Sequence, residues 1–196
     1  IPLCFDCHAD MRTYDKQHPK GSKYTETELK RHRDNWFKKV ASSQGVPAAN
    51  EVVETDKKVY HMLTEVLPWN RTINFIRTNN FAGWSFELDR LDDLYEFEHR
   101  CKNPAFEFVD SDLEGLRAQL YERIDHFTLM IGQHTFPVRG GVGRNEVPSE
   151  WEDEQPERFE RVVNDLNETA QAICGLYGDL IRLATRKLGV IPENMS

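Results

Sequence analysis

The sequence predicts a mainly α-helical protein, and three observations support that prediction. Apolar residues recur every three or four positions through most of the chain, as they do on the buried side of a helix. Residues that cap helices stand at the beginnings of these segments. Prolines and glycines, which interrupt helices, stand between them. We expect an antiparallel helical bundle over residues 46–196, preceded by a smaller amino-terminal part over residues 1–45.

The first predicted helix begins at a capping box. In Thr25-Glu26-Thr27-Glu28 the Thr25 hydroxyl is placed to accept a hydrogen bond from the backbone amide of Glu28. The Glu28 side chain is placed to accept one from the backbone amide of Thr25 in return. The segment Ser42-Ser43-Gln44-Gly45 with Val46-Pro47 then breaks the pattern, so we place a domain boundary at about residue 45. The predicted helix ends at about Ala41. Its residues at helical spacing are Leu29, Trp36 and Val40, with His32 and Phe37 beside them.

Two apolar stripes follow the boundary. The first ends at Pro68, and a short segment from Trp69 to Thr78 leads to an Asn-Asn turn. The second ends before Pro104. Their apolar residues are Val52, Val59, Leu63 and Val66, and then Leu88, Leu91, Leu94 and Tyr95.

Two longer helices complete the predicted bundle. Asp110 or Asp112 caps the first, which stops near Pro137, and the second starts at about Pro156 and extends about 50 Å. Between them, the loop Arg139–Arg144 has no predicted strand before it, so we interpret it as a flexible connection rather than a phosphate-binding loop. The stripes are Leu113, Leu116, Leu120, Ile124, Phe127 and Ile131, and then Phe159, Val162, Leu166, Ala170, Ile173, Tyr177, Leu180, Ala184 and Leu188.

Composition limits the function classes. No stretch approaches about 20 uninterrupted apolar residues and no signal peptide is visible, which favours a cytoplasmic protein without a membrane span. The net charge is −8, but residues 1–45 carry nine Lys and Arg against six Asp and Glu, whereas residues 46–196 carry sixteen against twenty-seven. Only the first segment is therefore suited to a polyanion.

A Cys-x-x-Cys-His pattern at Cys4, Cys7 and His8 has four interpretations. Haem attachment uses this spacing, but it requires an exported protein. A thioredoxin-like dithiol needs a preceding strand and a βαβ context, which the sequence does not supply. Two buried structural thiols are the third interpretation. The fourth is half of a zinc site, because two thiolates at this spacing chelate one tetrahedral ion.

The zinc interpretation predicts further ligands outside the printed sequence. Structural zinc takes four ligands, and residues 8–196 contain no second pair at ligand spacing. The other two cysteines, Cys101 and Cys174, fall in helical patterns, and we interpret them as inert core thiols.

The residues around the Cys pair resemble a known motif. The match consists of the run Ile1–Asp10, then Tyr14-Asp15, His18-Pro19-Lys20-Gly21, Lys23-Tyr24-Thr25, Glu28-Leu29, Arg31-His32-Arg33-Asp34 and Trp36. These positions resemble the second half of the bacterial HNH endonuclease motif, which belongs to the ββα-metal group. The resemblance covers about residues 1–37 and leaves residues 46–196 unassigned.

The resemblance implies roles for individual residues. Cys4 and Cys7 would be half of a structural zinc knuckle, and His8 would be a ligand of the catalytic Mg²⁺ or Mn²⁺. Phosphodiester hydrolysis needs a His that activates water as well as a cation that neutralises the leaving oxygen. The family's general-base His and orienting Asn have no counterpart in this sequence. The resemblance thus implies a metal-ligand arm whose base lies outside the chain.

A basic loop and helix follow the motif. Any single lysine here is most simply an ordinary solvated side chain, but as a set beside a nuclease centre these residues are candidates for sequence-neutral phosphate contacts. The candidates are His18, Lys20, Lys23, Lys30 and Arg31.

Two functional hypotheses follow. The first is a metal-dependent DNA endonuclease of HNH type, whose helical domain serves regulation or assembly, and the resemblance and architecture favour a setting in prokaryotic antiviral defence. The second is a non-catalytic interaction module with a structural zinc knuckle. On both hypotheses the acidic helical domain is expected to bind a protein partner or to form a homo-oligomer.

Overall fold

The chain divides into two units, Ile1–Pro47 and Ala48–Ser196. The computed structural model describes residues 26–42, 49–82 and 84–191. In the first unit the described residues form one helix, α1 (Glu26–Ser42). The helix predicted over this segment is confirmed.

The second unit is mainly helical, as predicted. Short irregular turns join its elements: a π-helical turn at Trp69–Ile73 and 3₁₀ turns at Leu88–Leu91 and Pro104–Phe106. Its helices and strands are α2 (Ala49–Val66), α3 (Asn74–Thr78), β1 (Phe86–Glu87), α4 (Asp92–Cys101), α5 (Ser111–His134), β2 (Phe136–Pro137), β3 (Arg144–Glu146), α6 (Glu150–Glu154) and α7 (Pro156–Leu188).

Helices α5 and α7 form the centre of the second unit and run antiparallel. At one end, the Lys187 Nζ of α7 donates to the Asp112 Oδ2 of α5 at 2.6 Å. At the other end, His134 of α5 lies close enough to Arg158 and Arg161 of α7 to be influenced by their charges. The predicted apolar stripes meet between them, and the residues that are fully or almost fully buried include Leu113, Leu120, Ile124 and Phe127 of α5 and Leu166, Ile173, Tyr177 and Leu180 of α7.

Local signals set the ends of α7, and its start at Pro156 agrees with the predicted start. Pro156 occupies its first turn, where the missing amide hydrogen costs nothing. Gly189 follows the last residue with φ 67°, the left-handed conformation that glycine adopts without strain. Its amide donates to the Thr185 carbonyl oxygen at 3.1 Å, which satisfies one free carbonyl of the last turn.

Buried carboxylates fix the connections around the bundle. Asp56 of α2, which is 1% exposed, accepts from the amides of Val109 and Asp110 at 2.6 and 3.0 Å. Asp93 of α4 accepts from the Thr72 hydroxyl at 2.9 Å and pairs with Arg71 at 2.9 Å. Each carboxylate connects an irregular segment to a helix. These contacts also satisfy polar groups that would be costly to bury unpaired.

Asp110 is the side-chain cap of α5. Its Oδ1 accepts from the amides of Asp112 and Leu113 at 3.0 and 3.1 Å, and Lys187 donates to both of its oxygens at 2.8 Å. Partial burial acts to raise the pKa of Asp110. The hydrogen bonds from Lys187 and from the two amides outweigh that effect and hold the pKa below its ordinary value.

We expect Asp110→Ala to lower the free energy of unfolding by about 1 to 2 kcal/mol at neutral pH, because the cap is lost. A carboxyl whose pKa is lowered by folding stabilises the protein above its unfolded pKa, and that stabilisation disappears as the pH falls through the folded pKa. Urea denaturation followed by circular dichroism should therefore show the deficit shrinking below about pH 4. Exposed Ser111→Ala is the matched control, and an equal or pH-independent loss in both variants would contradict the capping role.

A small sheet corrects one prediction. Strand β3 lies between β1 and β2 and is antiparallel to both, with Phe86 opposite Asn145 and Phe136 opposite Glu146. Strand β2 therefore precedes the loop Arg139–Arg144, and the interpretation as a flexible connection without a preceding strand was wrong. The loop joins strand to strand, and strands of two or three residues are too short to produce an alternating pattern.

Two residues of the predicted apolar stripes are exposed. Leu88 lies in the 3₁₀ turn before α4, where the spacing differs from that of an α-helix, and Tyr95 lies on the outer side of α4 next to buried Leu94. Within the described residues, no helix is long and apolar enough to cross a lipid bilayer.

Candidate nucleic-acid interface

The structure describes two of the residues that the sequence singles out for function. Lys30 and Arg31 lie on α1, and both side chains are exposed. The remaining candidates lie outside the described residues, and these are Cys4, Cys7, His8, His18, Lys20 and Lys23.

Helix α1 presents positive charge over more than one side. Residues 30–38 are all exposed, and they contain two lysines and two arginines against a single aspartate. Arg31 and Lys38 are seven residues apart and therefore share one side of the helix. Lys30 and Arg33 are three apart and share another. A phosphate backbone could contact such a helix along either side.

The charge of Arg33 is partly neutralised by its neighbour. The Arg33 guanidinium donates to the Asp34 carboxylate at 2.7 and 2.8 Å, and both side chains are well exposed. Such a surface pair contributes little to stability because water screens it. Its effect is to weaken the attraction of Arg33 for a phosphate relative to that of Arg31.

Sequence reasoning missed two aromatic residues of this surface. Trp36 and Phe37 belong to the helical spacing of α1, yet their exposed fractions are 62% and 61%. Arg33 precedes them by three and four residues, so all three share a side of the helix. The alternation of cations and aromatics in Arg33-Asp34-Asn35-Trp36-Phe37-Lys38 was the available signal.

An open groove lies between α5 and α7 in the second unit. It is lined by Gln119, Glu122 and Arg123 on one side and by Ala172 and Leu176 on the other. Apart from the Glu122 carboxylate, none of these lining side chains is a nucleophile or a general base. In the part of the chain that the structure describes, no three His, Cys, Asp or Glu side chains come together as metal ligands. The described groups therefore do not form a catalytic centre in the groove.

The two described cysteines are not reactive thiolates. Burial raises the pKa of Cys101 to about 11, against a weaker opposing effect of the Arg117 guanidinium. Burial also raises the pKa of Cys174 to about 11. Both thiols are protonated near neutral pH, which agrees with their interpretation as inert thiols and argues against nucleophilic or metal-binding roles.

A cluster of aromatic and charged residues closes the end of the bundle where α5 ends. The Arg158 guanidinium lies 3.6 Å from the ring centroid of Trp151, and Phe136 packs edge-on against the same indole at 6.0 Å. Nearby, burial lowers the pKa of His134, and the charges of Arg158 and Arg161 lower it further against the opposing effect of Asp165. Trp151 is half-buried and serves as a packed cap.

No family model, curated protein or solved structure matches the chain. The resemblance of residues 1–37 to the HNH motif therefore depends on the motif residues themselves. The thiols of Cys4 and Cys7 are donors that Zn²⁺ takes, so the chemistry of this pair fits a zinc half-site, and the imidazole of His8 is a donor that a second divalent ion can take.

Proposed function

We propose that the chain is part of a metal-dependent DNA endonuclease of HNH type, acting in the cytoplasm in prokaryotic antiviral defence. The observation that carries this proposal is the Cys4-x-x-Cys7-His8 motif, together with the matching positions that continue as far as Trp36. Several separated positions agree besides the Cys pair, which is more specific than the pair alone.

In this proposal each motif residue has a separate task. Cys4 and Cys7 hold half of a structural zinc knuckle, whose ligation supplies folding energy to a small module. His8 binds Mg²⁺ or Mn²⁺, and the ion supplies charge stabilisation at the leaving oxygen of the phosphodiester. The general-base His and the orienting Asn are provided outside these 196 residues.

The exposed cations of α1 support a contact with DNA. Lys30 and Arg31 lie near the end of the matching segment, and together with Lys38 they give the helix a positive surface while the second unit is acidic overall. Contacts to phosphate position a nuclease without reading the base sequence. His18, Lys20 and Lys23 are proposed to contact phosphate as well.

We expect the double variant Lys30→Gln/Arg31→Gln to bind duplex DNA more weakly and with a smaller salt dependence. Each lost phosphate contact should reduce the slope of log affinity against log salt by about 0.9. Fluorescence anisotropy between about 50 and 200 mM salt measures that slope. The control is Lys58→Gln/Lys102→Gln, which removes two exposed charges from the helical unit, and equal slopes in the two variants would remove α1 from the DNA interface.

The second unit supports a role in regulation or assembly. Among its described residues no three His, Cys, Asp or Glu side chains come together as metal ligands, and its negative charge repels a polyanion. A protein partner or another copy of the chain is the ligand class that such a surface suits.

The deciding experiment uses the complete natural polypeptide, including any residues that precede Ile1. The proposal predicts bound zinc and cleavage of DNA that starts on addition of Mg²⁺ or Mn²⁺. A non-catalytic zinc-knuckle interaction module predicts bound zinc without cleavage under any divalent ion. Zinc content by mass spectrometry of the metal and a plasmid cleavage assay separate the two, and a protein that contains no transition metal contradicts both.

A further inference from the structure

We propose that Trp36 and Phe37 stack on unpaired bases, so that α1 binds single-stranded DNA in preference to duplex DNA. This inference depends on the proposed function only in taking α1 as a DNA-contacting helix. Its own claim concerns the strand form that the helix selects.

The first observation is the exposure of two adjacent large aromatics. Trp36 is 62% exposed and Phe37 is 61% exposed. An aromatic side chain buries about 150 to 250 Å² when it is covered, so the pair offers a large apolar surface to a ligand. Folding leaves this apolar surface exposed. The free energy gained by covering it is therefore available for binding a ligand.

The second observation is the position of the cations around this pair. Lys30, Arg33 and Phe37 follow one another at spacings of three and four residues and lie along one side of α1 over about 10 Å. Lys38 follows Phe37 directly. Cations that contact the backbone, combined with aromatic faces that contact bases, are the arrangement by which proteins hold single strands.

Stacking explains why the bound strand should be unpaired. In a duplex the faces of each base are covered by its neighbours, and a helix lying in a groove reaches base edges and phosphates only. An aromatic ring on α1 can therefore cover a base only where that base is not stacked in a duplex. The cations attract both strand forms, whereas Trp36 and Phe37 add affinity for one of them.

Charge favours a nucleic acid over a protein as the occupant of this surface. Four cations and one aspartate lie between residues 30 and 38, and the aspartate is already paired with Arg33. An apolar surface that binds protein is typically depleted of charge at its centre, and lysine is depleted at such interfaces. The cations surrounding Trp36 and Phe37 are instead those that a phosphate backbone requires.

The test measures the binding of the complete polypeptide to a labelled oligo-dT strand and to a duplex of the same length, without added divalent ions. We expect Trp36→Ala/Phe37→Ala to weaken single-strand binding by about 20-fold or more, since each stacked base contributes roughly 5-fold to 100-fold. Duplex binding should change by less than about 3-fold, because a duplex is bound through phosphate contacts and this variant keeps the cations that make them. The conservative variant Trp36→Phe/Phe37→Tyr keeps both rings and should retain most of the single-strand affinity.

Trp84→Ala is the matched control. Trp84 is 72% exposed and belongs to the second unit, so its removal tests the loss of an exposed tryptophan that is not part of α1. This control should bind both DNA forms as the unchanged protein does. Far-UV circular dichroism of each variant establishes that the helices are retained.

Several results would overturn the inference. Unchanged single-strand binding in the Ala variant would remove stacking, and an equal loss for both strand forms would show that the aromatics support the helix rather than contact bases. Dissociation of an oligomer with unchanged single-strand binding would assign the surface to a second copy of the chain. None of these results depends on cleavage, so a protein that selects single strands through Trp36 and Phe37 but cuts no DNA would refute the proposed function alone.

Discussion

The variant His8→Ala is expected to abolish Mg²⁺-dependent or Mn²⁺-dependent cleavage of DNA by the complete polypeptide while the protein remains folded. A catalytic divalent ion contributes several kcal/mol of charge stabilisation in the transition state, and each 1.36 kcal/mol corresponds to a tenfold rate change. Loss of one ligand should therefore reduce the rate by about 10³-fold. Single-turnover cleavage of a plasmid measures this loss separately from product release.

Two further measurements distinguish loss of the catalytic ion from loss of the fold. Zinc content and the circular dichroism spectrum should be unchanged in His8→Ala, because Cys4 and Cys7 are proposed to hold the structural ion. The control is His126→Ala, which removes an exposed imidazole from α5. Cleavage retained by His8→Ala would remove His8 from the catalytic site, and zinc lost from that variant would instead assign His8 to the structural ion.

The second large effect concerns stability. Leu120→Ala should lower the free energy of unfolding by about 2 to 5 kcal/mol, because it removes buried apolar volume and leaves a cavity between packed helices. Leu120 is 0% exposed and belongs to the core that α5 and α7 share. Urea denaturation followed by circular dichroism measures the loss, since most of the second unit's signal is helical.

Leu129→Ala provides a control within the same helix. Leu129 lies on α5 and is 55% exposed, so the same substitution should change stability by no more than about 0.5 kcal/mol. Both variants alter helix propensity equally, and the difference between them therefore reports burial. Equal losses would contradict the packing of α5 against α7.

Local signals made the main helices predictable from sequence. The cap at Asp110, the proline at the start of α7 and the repeat of apolar residues each act within a few positions of the chain. The structure places α5 and α7 within a few residues of the predicted limits and buries the predicted faces. A helix satisfies its hydrogen bonds within its own segment, which is why these signals suffice.

The small sheet was not predictable in the same way. Phe86 pairs with Asn145, nearly sixty positions further along the chain, and no local pattern specifies such a partner. A strand of two or three residues also leaves no alternation to read. The loop Arg139–Arg144 was therefore assigned to a flexible connection, although its two ends are paired in a sheet.

Sequence and structure contributed different observations to the candidate site, whose role stays a prediction. The sequence determined the mainly helical class, the Cys-x-x-Cys-His motif with its resemblance to HNH endonucleases, and the positive charge around Lys30 and Arg31, because each of these depends on residue type and local spacing. The tertiary structure decided which apolar residues are covered, since burial depends on segments distant in sequence. It covered Leu120 and left Trp36 and Phe37 exposed beside the cations of α1.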